Sequence, residues 1–273
     1  MNTGIKKSFL PLLLAVFVQT SSGQGMQMGE VIIVTTPELK NDKSGEDLRS
    51  FMLDNVAPAW NNGNQRVNFH LFQADRGNMK GKYLVVCNVK EVADRKESLP
   101  AGSPFKDEVM SSRSSKKPSE ILNNPEAFTE YHLLGANKFR SLPEIGILGI
   151  HYIKVRKERA NDFEKFTIEK MHPAVGTLLP NMHLLTYKAV GGDQQGTYIT
   201  IFAIESVAAR DQYWPAGKPE TEPLKQAFKP LQPIAQELKE YLVPDSYLEP
   251  SGGAAAIFES KEWTDFIYQP VSK

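Results

Sequence analysis

Cysteine is nearly missing from this 273-residue sequence, with Cys87 the single one. No internal disulfide can form, so the fold must be held by its core alone. Net charge is also missing: 32 Lys and Arg stand against 32 Asp and Glu. Without a basic excess or a long basic run, the electrostatic footprint of a nucleic-acid binder is absent. The densest basic stretch, from Arg113 to Lys117, lies among serines ahead of Pro118 and reads as a solvated loop. No CxxC, HxxxH-type zinc spacing, Gly-rich phosphate loop or Gly-x-Ser-x-Gly elbow occurs. That argues against metal hydrolysis, nucleotide binding and serine-hydrolase chemistry, and no metal ligand set is assigned.

Long apolar runs are lacking as well, since none approaches the ~20 residues that span a bilayer. The most apolar stretch, FLPLLLAVFV at residues 9–18, follows Lys6 and Lys7 and precedes Ser21, Ser22 and Gly23. Those are the three regions of a secretory leader, placed at residues 1–25. No cysteine stands there for a lipid anchor, so the mature chain is expected to be free in the periplasm or secreted, with no membrane span.

What is present is an echo. Residues 81–104 read GKYLVVCNVKEVADRKESLPAGSP, and residues 196–219 read GTYITIFAIESVAARDQYWPAGKP. Gly81/Gly196, Tyr83/Tyr198, Ala93/Ala208, Arg95/Arg210, Pro100/Pro215 and Gly102/Gly217 match at one constant offset without a gap. A duplication is the economical account. It places a first repeat at 26–135, a linker at 136–146 and a second repeat at 147–273.

Each half has one order of elements. In the first, residues 30–36 form a β-branched strand, and 47–56 place Leu48, Phe51, Met52 and Val56 at helical spacing until Pro58 stops them. Residues 67–74 and 83–89 form a hairpin, 105–110 a short helix and 128–134 a fourth strand. The second half repeats this at 147–155, 162–171, 182–189 with 198–204, a longer helical region at 222–243, and 263–269. The order β-α-β-β-α-β is ferredoxin-like, so the fold class is α+β. In residues 198–204 the apolar side chains fall on both faces, and a strand apolar on both faces must be covered twice. The economical cover is the other repeat, giving one pseudo-dimeric α+β barrel from a single chain.

The second half, IHYIKVRKERANDFEKF, the hairpin, and then ESVAARDQYW ahead of a helix, resembles the dimeric α+β barrel superfamily. Within it the likeness is to the antibiotic-biosynthesis-monooxygenase and NIPSNAP-like groups. The resemblance covers both repeats. It implies a cavity between the bare sheet face and the helices, in a family of cofactor-free oxygenases, haem-degrading enzymes, haem-binding tandem forms and isomerase-like enzymes.

Candidate residues follow from where the repeats differ. His183 corresponds to Asn68 and His70 to Leu185, and alternation puts Asn68, His70 and Phe72 on one face and His183, Leu185 and Tyr187 on its equivalent. A histidine in such a place can serve as general base or haem ligand. The catalytic candidates are His183, Tyr187, Tyr198 and His70, for cofactor-independent oxidation or isomerisation of a small, largely apolar or aromatic molecule. His151, Thr200, Asn68, Trp214 and Tyr83 are the ligand-binding candidates. Tyr83 and Tyr198, shared by both halves, also suit a common packing role. Trp60 and Trp214 are placed near the cavity mouth, His172 reads as a helix-end residue beside Pro173, and Cys87, in a buried strand, as inert. No cofactor is required by this reading. Two alternatives stand: a non-catalytic exported interaction protein, and a haem protein with one axial histidine. The duplication already satisfies the usual dimer interface, leaving monomer or homodimer open.

Overall fold

A computed structural model describes residues 28–60, 66–99, 102–137, 145–178, 183–215, 221–244, 246 and 261–270. The 1–25 leader, most of the 136–146 linker and parts of both Pro-Ala-Gly-x-Pro turns lie outside the described residues.

The first half runs β1 (Val31–Thr35), α1 (Gly45–Phe51), a π turn (Met52–Val56), α2 (Ala57–Trp60), β2 (Val67–Gly77), β3 (Tyr83–Val89), α3 (Val92–Ser98), α4 (Asp107–Ser111) and β4 (Thr129–Ala136). The second runs β5 (Ile147–Ile153), α5 (Ala160–Phe166), a π turn (Thr167–Met171), α6 (His172–Leu178), β6 (His183–Gly192), β7 (Tyr198–Ile204), α7 (Val207–Tyr213), α8 (Glu222–Phe228), α9 (Gln232–Lys239) and β8 (Trp263–Gln269). The strands close into one antiparallel barrel in the order β1-β3-β2-β8-β5-β7-β6-β4. The first four strands are contiguous and so are the last four. Their sheets meet along the β2–β8 and β4–β6 seams, and closure leaves no edge unpaired.

Alternation along the strands then sorts the core into three bodies. Ile32, Phe72, Leu84, Val86, Leu148, Ile150, Leu185, Ile199, Ile201 and Phe266 point inward and fill the barrel. The outward faces of β1, β2 and β3 pack on Leu48, Phe51 and Met52. Those of β5, β6 and β7 pack on Phe163, Phe166, Leu224, Phe228 and Leu238. Each fully buried Phe or Leu contributes on the order of 2 kcal/mol. The strands apolar on both faces are covered on both, as their pattern requires.

Proline does not stop the first helix. It continues through Pro58 to Trp60, because a π turn precedes the ring: the Ala57 N–H donates to Met52 O, one residue beyond the α-helical partner. The second half does the same, with the His172 N–H donating to Thr167 O ahead of Pro173. The wider turn opens the helix where a proline ring would meet a carbonyl. His172 is therefore not an exposed helix-end residue. It is buried, and its Nε2 lies 3.1 Å from Thr186 Oγ1.

Candidate functional site

Closing the barrel leaves one end open. There the loop after β1, the β2–β3 and β6–β7 turns, the loop before β4 and the start of β8 surround a cavity of about 1000 Å³. Aromatic walls come from Tyr131 of β4, Tyr152 of β5 and Trp263 of β8, with Tyr83 and Phe128 at the rim. Val34, Leu39 and Met79 add apolar surface, and Asn78, Asn123, Gln194, Glu262 and Thr264 add polar groups.

The rim is held by side chains that bond backbone. Asn124 accepts from the Glu38 N–H (2.8 Å) and donates to Thr36 O (3.1 Å), tying the loop after β1 to the loop before β4. Thr264 Oγ1 accepts from the Met79 N–H (3.2 Å), and Asn78 Oδ1 accepts from the Trp263 N–H (3.1 Å). Two glycines make the turns fit. Gly77 (φ 90°) and Gly192 (φ 82°) would each drive a Cβ into a backbone oxygen, Trp263 O at 2.2 Å and Phe128 O at 2.1 Å. Burial holds the Tyr131 phenol protonated, and burial with the nearby Glu262 carboxylate does so for Tyr152. Both therefore offer neutral hydroxyls.

The catalytic candidates do not all converge. His70, His183 and Tyr187, with Asn68, are on the inward face, and Tyr198 is on the helix side. The Tyr187 hydroxyl donates to Gly29 O at 2.9 Å, and His70 packs against Tyr268 with ring centroids 6.0 Å apart. Burial lowers the His70 pKa to about 4, so its ring is neutral. None of these four lines the open cavity. Tyr198 donates to Glu164 Oε1 at 2.6 Å, and Lys188 shares that oxygen at 2.7 Å.

The ligand-binding candidates separate likewise. Tyr83 reaches the cavity rim, its hydroxyl accepting from Gln73 Nε2 at 3.3 Å. Thr200 and His151 are register partners on the outward face of β7 and β5. His151 and Trp214 line a small pocket of about 110 Å³, between that face and the end of α7. Trp60 is not at the mouth: it packs on Phe69 in the first-half core, with its Nε1 3.4 Å from Met110 Sδ. Cys87 is buried, and burial pushes its thiol far above the usual range.

Sequence reasoning missed Tyr131, Tyr152, Trp263 and the buried charges around Arg210. The signal for Tyr152 was alternation with the inward Ile150, and for Arg210 the match with Arg95.

A histidine-ligated haem does not fit this arrangement. None of the five histidines lines the large cavity, the pocket beside His151 is too small for a macrocycle, and His70 and His183 sit in the packed barrel. Among the described residues no group of three or more His, Cys, Asp or Glu is placed to hold a metal. No described helix is long and apolar enough to cross a membrane.

No family model matches the chain, and no curated protein does. Among solved structures, a provisionally named monooxygenase from Fusobacterium nucleatum is similar at a TM-score of 0.52 and 11% identity, covering 90% of this chain and 94% of that one. A second, from Lactobacillus acidophilus, gives 0.45 at 11% identity, covering 88% and 92%. A haem-degrading enzyme from Listeria monocytogenes gives 0.40 at 12% identity, covering 88% and 99%. The first shows a shared barrel fold. A reaction does not follow from it, because one fold carries many chemistries.

Proposed function

We propose that the protein binds a small, largely apolar or aromatic molecule in the open end of the barrel. The observation that carries this reading is the cavity of about 1000 Å³ walled by Tyr131, Tyr152 and Trp263, with a few polar groups among them. Ligand sites have this make-up: mostly apolar and aromatic walls with sparse polar groups that fix orientation. No reaction is assigned, since His70, His183 and Tyr187 lie in the barrel core and Tyr198 outside it.

The test is titration with N-phenyl-naphthylamine, a neutral aromatic probe, followed by energy transfer from tryptophan. Saturable binding of one probe per chain is expected. Ala127→Trp, which fills the cavity from its rim, should abolish it without lowering the melting temperature. Binding untouched by that variant, or none in the parent protein, overturns the reading.

We also propose that the chain is an internal duplication of a ferredoxin-like unit, 26–135 and 147–273, within the dimeric α+β barrel superfamily. The matching strand order, the π turn ahead of Pro58 and Pro173, and an Arg–carboxylate pair in each half support it. Export through the 1–25 leader is part of the same proposal. Intact mass of the extracellular or periplasmic chain tests it: loss of about 25 residues is expected, and a retained Met1 overturns it.

A further inference from the structure

The two seams that close the barrel are not tied alike. At each, the strand running into an open-end turn slips register by one residue, which leaves Asp75 of β2 unpaired with β8 and Val190 of β6 unpaired with β4. The side chains at the two slips differ. Asp75 reaches Arg210 of α7 at 2.8 Å, and its neighbour Arg76 reaches Asp211 at 2.8 Å and the Trp214 carbonyl at 2.7 Å. Arg210 also holds Asp265 of β8, so the β2–β8 seam is clamped on its outer face. In the β4–β6 seam Val190 and Gly191 occupy those places, and neither carries a charge to build the same clamp. That seam slips a second time, at Leu134, and each slip interrupts its ladder.

His172 lies across this second seam. It heads α6 just after the π turn, and its ring rests on the bare Gly135 backbone of β4, 3.0 Å from where a Cβ would stand. Its Nε2 is 3.1 Å from Thr186 Oγ1 of β6, and Thr186 is the register partner of Gly135. One ring thus touches both strands. Its Nδ1 is sealed from solvent with no hydrogen-bond partner among the described residues. A proton there would be a buried charge without an acceptor. The ionisable groups on the elements around it are Glu130 and His132 of β4, Lys188 of β6, Glu169 and Lys170 of the π turn, and Lys229 of the turn packed on α6. Glu130 is engaged by Arg95 and His132, Lys188 by Glu164 and Lys170 by Glu237. None compensates the ring, since burial alone lowers its pKa to about 4. At the clamped seam the residue that follows the π turn is Ala57, which does not titrate. His70 packs on Tyr268 there, inside strands that the Arg210 network holds together.

We propose that the β4–β6 seam is an acid-operated gate: a proton taken up by His172 parts β4 from β6, while the clamped β2–β8 seam stays closed and serves as the hinge. The seam runs into the mouth of the open cavity, where Phe128, Thr129, Tyr131, Asp193 and Gln194 line it. Parting the strands widens that mouth and uncovers the inward Tyr187, the register partner of Leu133. Its consequence for ligand entry rests on the binding reading above; the opening itself does not.

Hydrogen–deuterium exchange of the ligand-free protein at pH 7 and pH 5, corrected for intrinsic rates, tests this. Protection of β4 and β6 is expected to fall about tenfold to twentyfold between the two, the factor for a histidine that titrates near 4 when sealed and near 6.5 when released. Protection of β2 and β8 should change far less. His172→Asn cannot take the proton and should erase the pH effect in β4 and β6. Val190→Asp leaves the ring in place: at an exposed position it sets a carboxylate where the other seam has Asp75, with Arg95 standing as Arg210 does there. It should raise the protection of β4 and β6 at pH 5 by about fivefold. Equal loss in all strands, no loss in β4 and β6, a pH effect that persists in His172→Asn, or no gain from Val190→Asp overturns the proposal. Absence of N-phenyl-naphthylamine binding beside the expected exchange pattern would overturn the binding reading instead.

Discussion

Arg210 on α7 sets its guanidinium Nη1 3.1 Å from Asp265 Oδ2 on β8, as Arg95 on α3 sets its Nε 2.9 Å from Glu130 Oε2 on β4. Each pair ties a helix to the last strand of its half, on the outer face of the barrel. Arg210 is 2% exposed, and it answers three carboxylates at once. Arg210→Met should therefore destabilise the protein by about 3–5 kcal/mol, since Asp265 would be left buried without its partner. The solvent-exposed pair Lys154–Glu262 is the contrast, and Lys154→Ala should cost under about 1 kcal/mol. Urea unfolding of both variants checks the difference; equal costs would mean the buried network is not structural.

The pH dependence follows from buried imidazoles. Burial lowers the pKa of His70, His151 and His172 from 6.5 to about 4. In the unfolded chain these groups take up protons near 6.5, and in the folded chain only near 4, so the unfolded state binds more protons in between. Stability is thus complete above about pH 6.5 and falls as pH drops toward 4, each histidine adding a slope of about 1.4 kcal/mol per pH unit. Between pH 6.5 and 5 ordinary carboxylates are still ionised, so the slope there belongs to the histidines. His172→Asn should flatten it in chemical denaturation measured at several pH values. A flat profile in the parent protein would contradict burial of neutral rings.

How far these features were legible in the chain depends on the kind of signal. The echo of residues 81–104 at 196–219 carries the strand order, and β-branched runs mark β3 and β7 to the residue. The match of Arg95 with Arg210 was visible in the sequence, yet the carboxylate each one meets is set only when the helix is laid against the last strand. Facing was not legible where a strand is apolar on both sides: Tyr187 and Tyr198 look alike in sequence, and only closure sends one inward and one toward α5. The open cavity was hidden for another reason. Its walls come from five separate loops and strand ends, which no periodicity connects.

Tyr198 separates a packing role from a catalytic one. Its hydroxyl donates to Glu164, and burial with that carboxylate raises its pKa well above the usual phenol value. Tyr198→Phe should cost about 1–3 kcal/mol, the value of a hydrogen bond to a charged group. Binding of N-phenyl-naphthylamine in the open cavity should not change. A variant of parental stability with weakened probe binding would return Tyr198 to the site.

The turns at the open end allow a sharper comparison. Gly77, Gly81, Gly192 and Gly196 all have positive φ, but they differ in what surrounds them. A Cβ on Gly81 or Gly196 meets nothing within 4 Å, so alanine there carries only the conformational cost, about 1–2 kcal/mol. A Cβ on Gly77 or Gly192 overlaps the backbone of β8 or of the residue preceding β4, across the seams that close the barrel. Backbone cannot yield as a side-chain tip does, so Gly192→Ala should cost about 3 kcal/mol or more. It should also loosen the rim formed by Phe128 and Gln194. Thermal melts of Gly192→Ala beside Gly196→Ala, with probe affinity on the same samples, read both effects. Equal melting temperatures would mean that the β4–β6 seam does not hold the mouth of the cavity in shape.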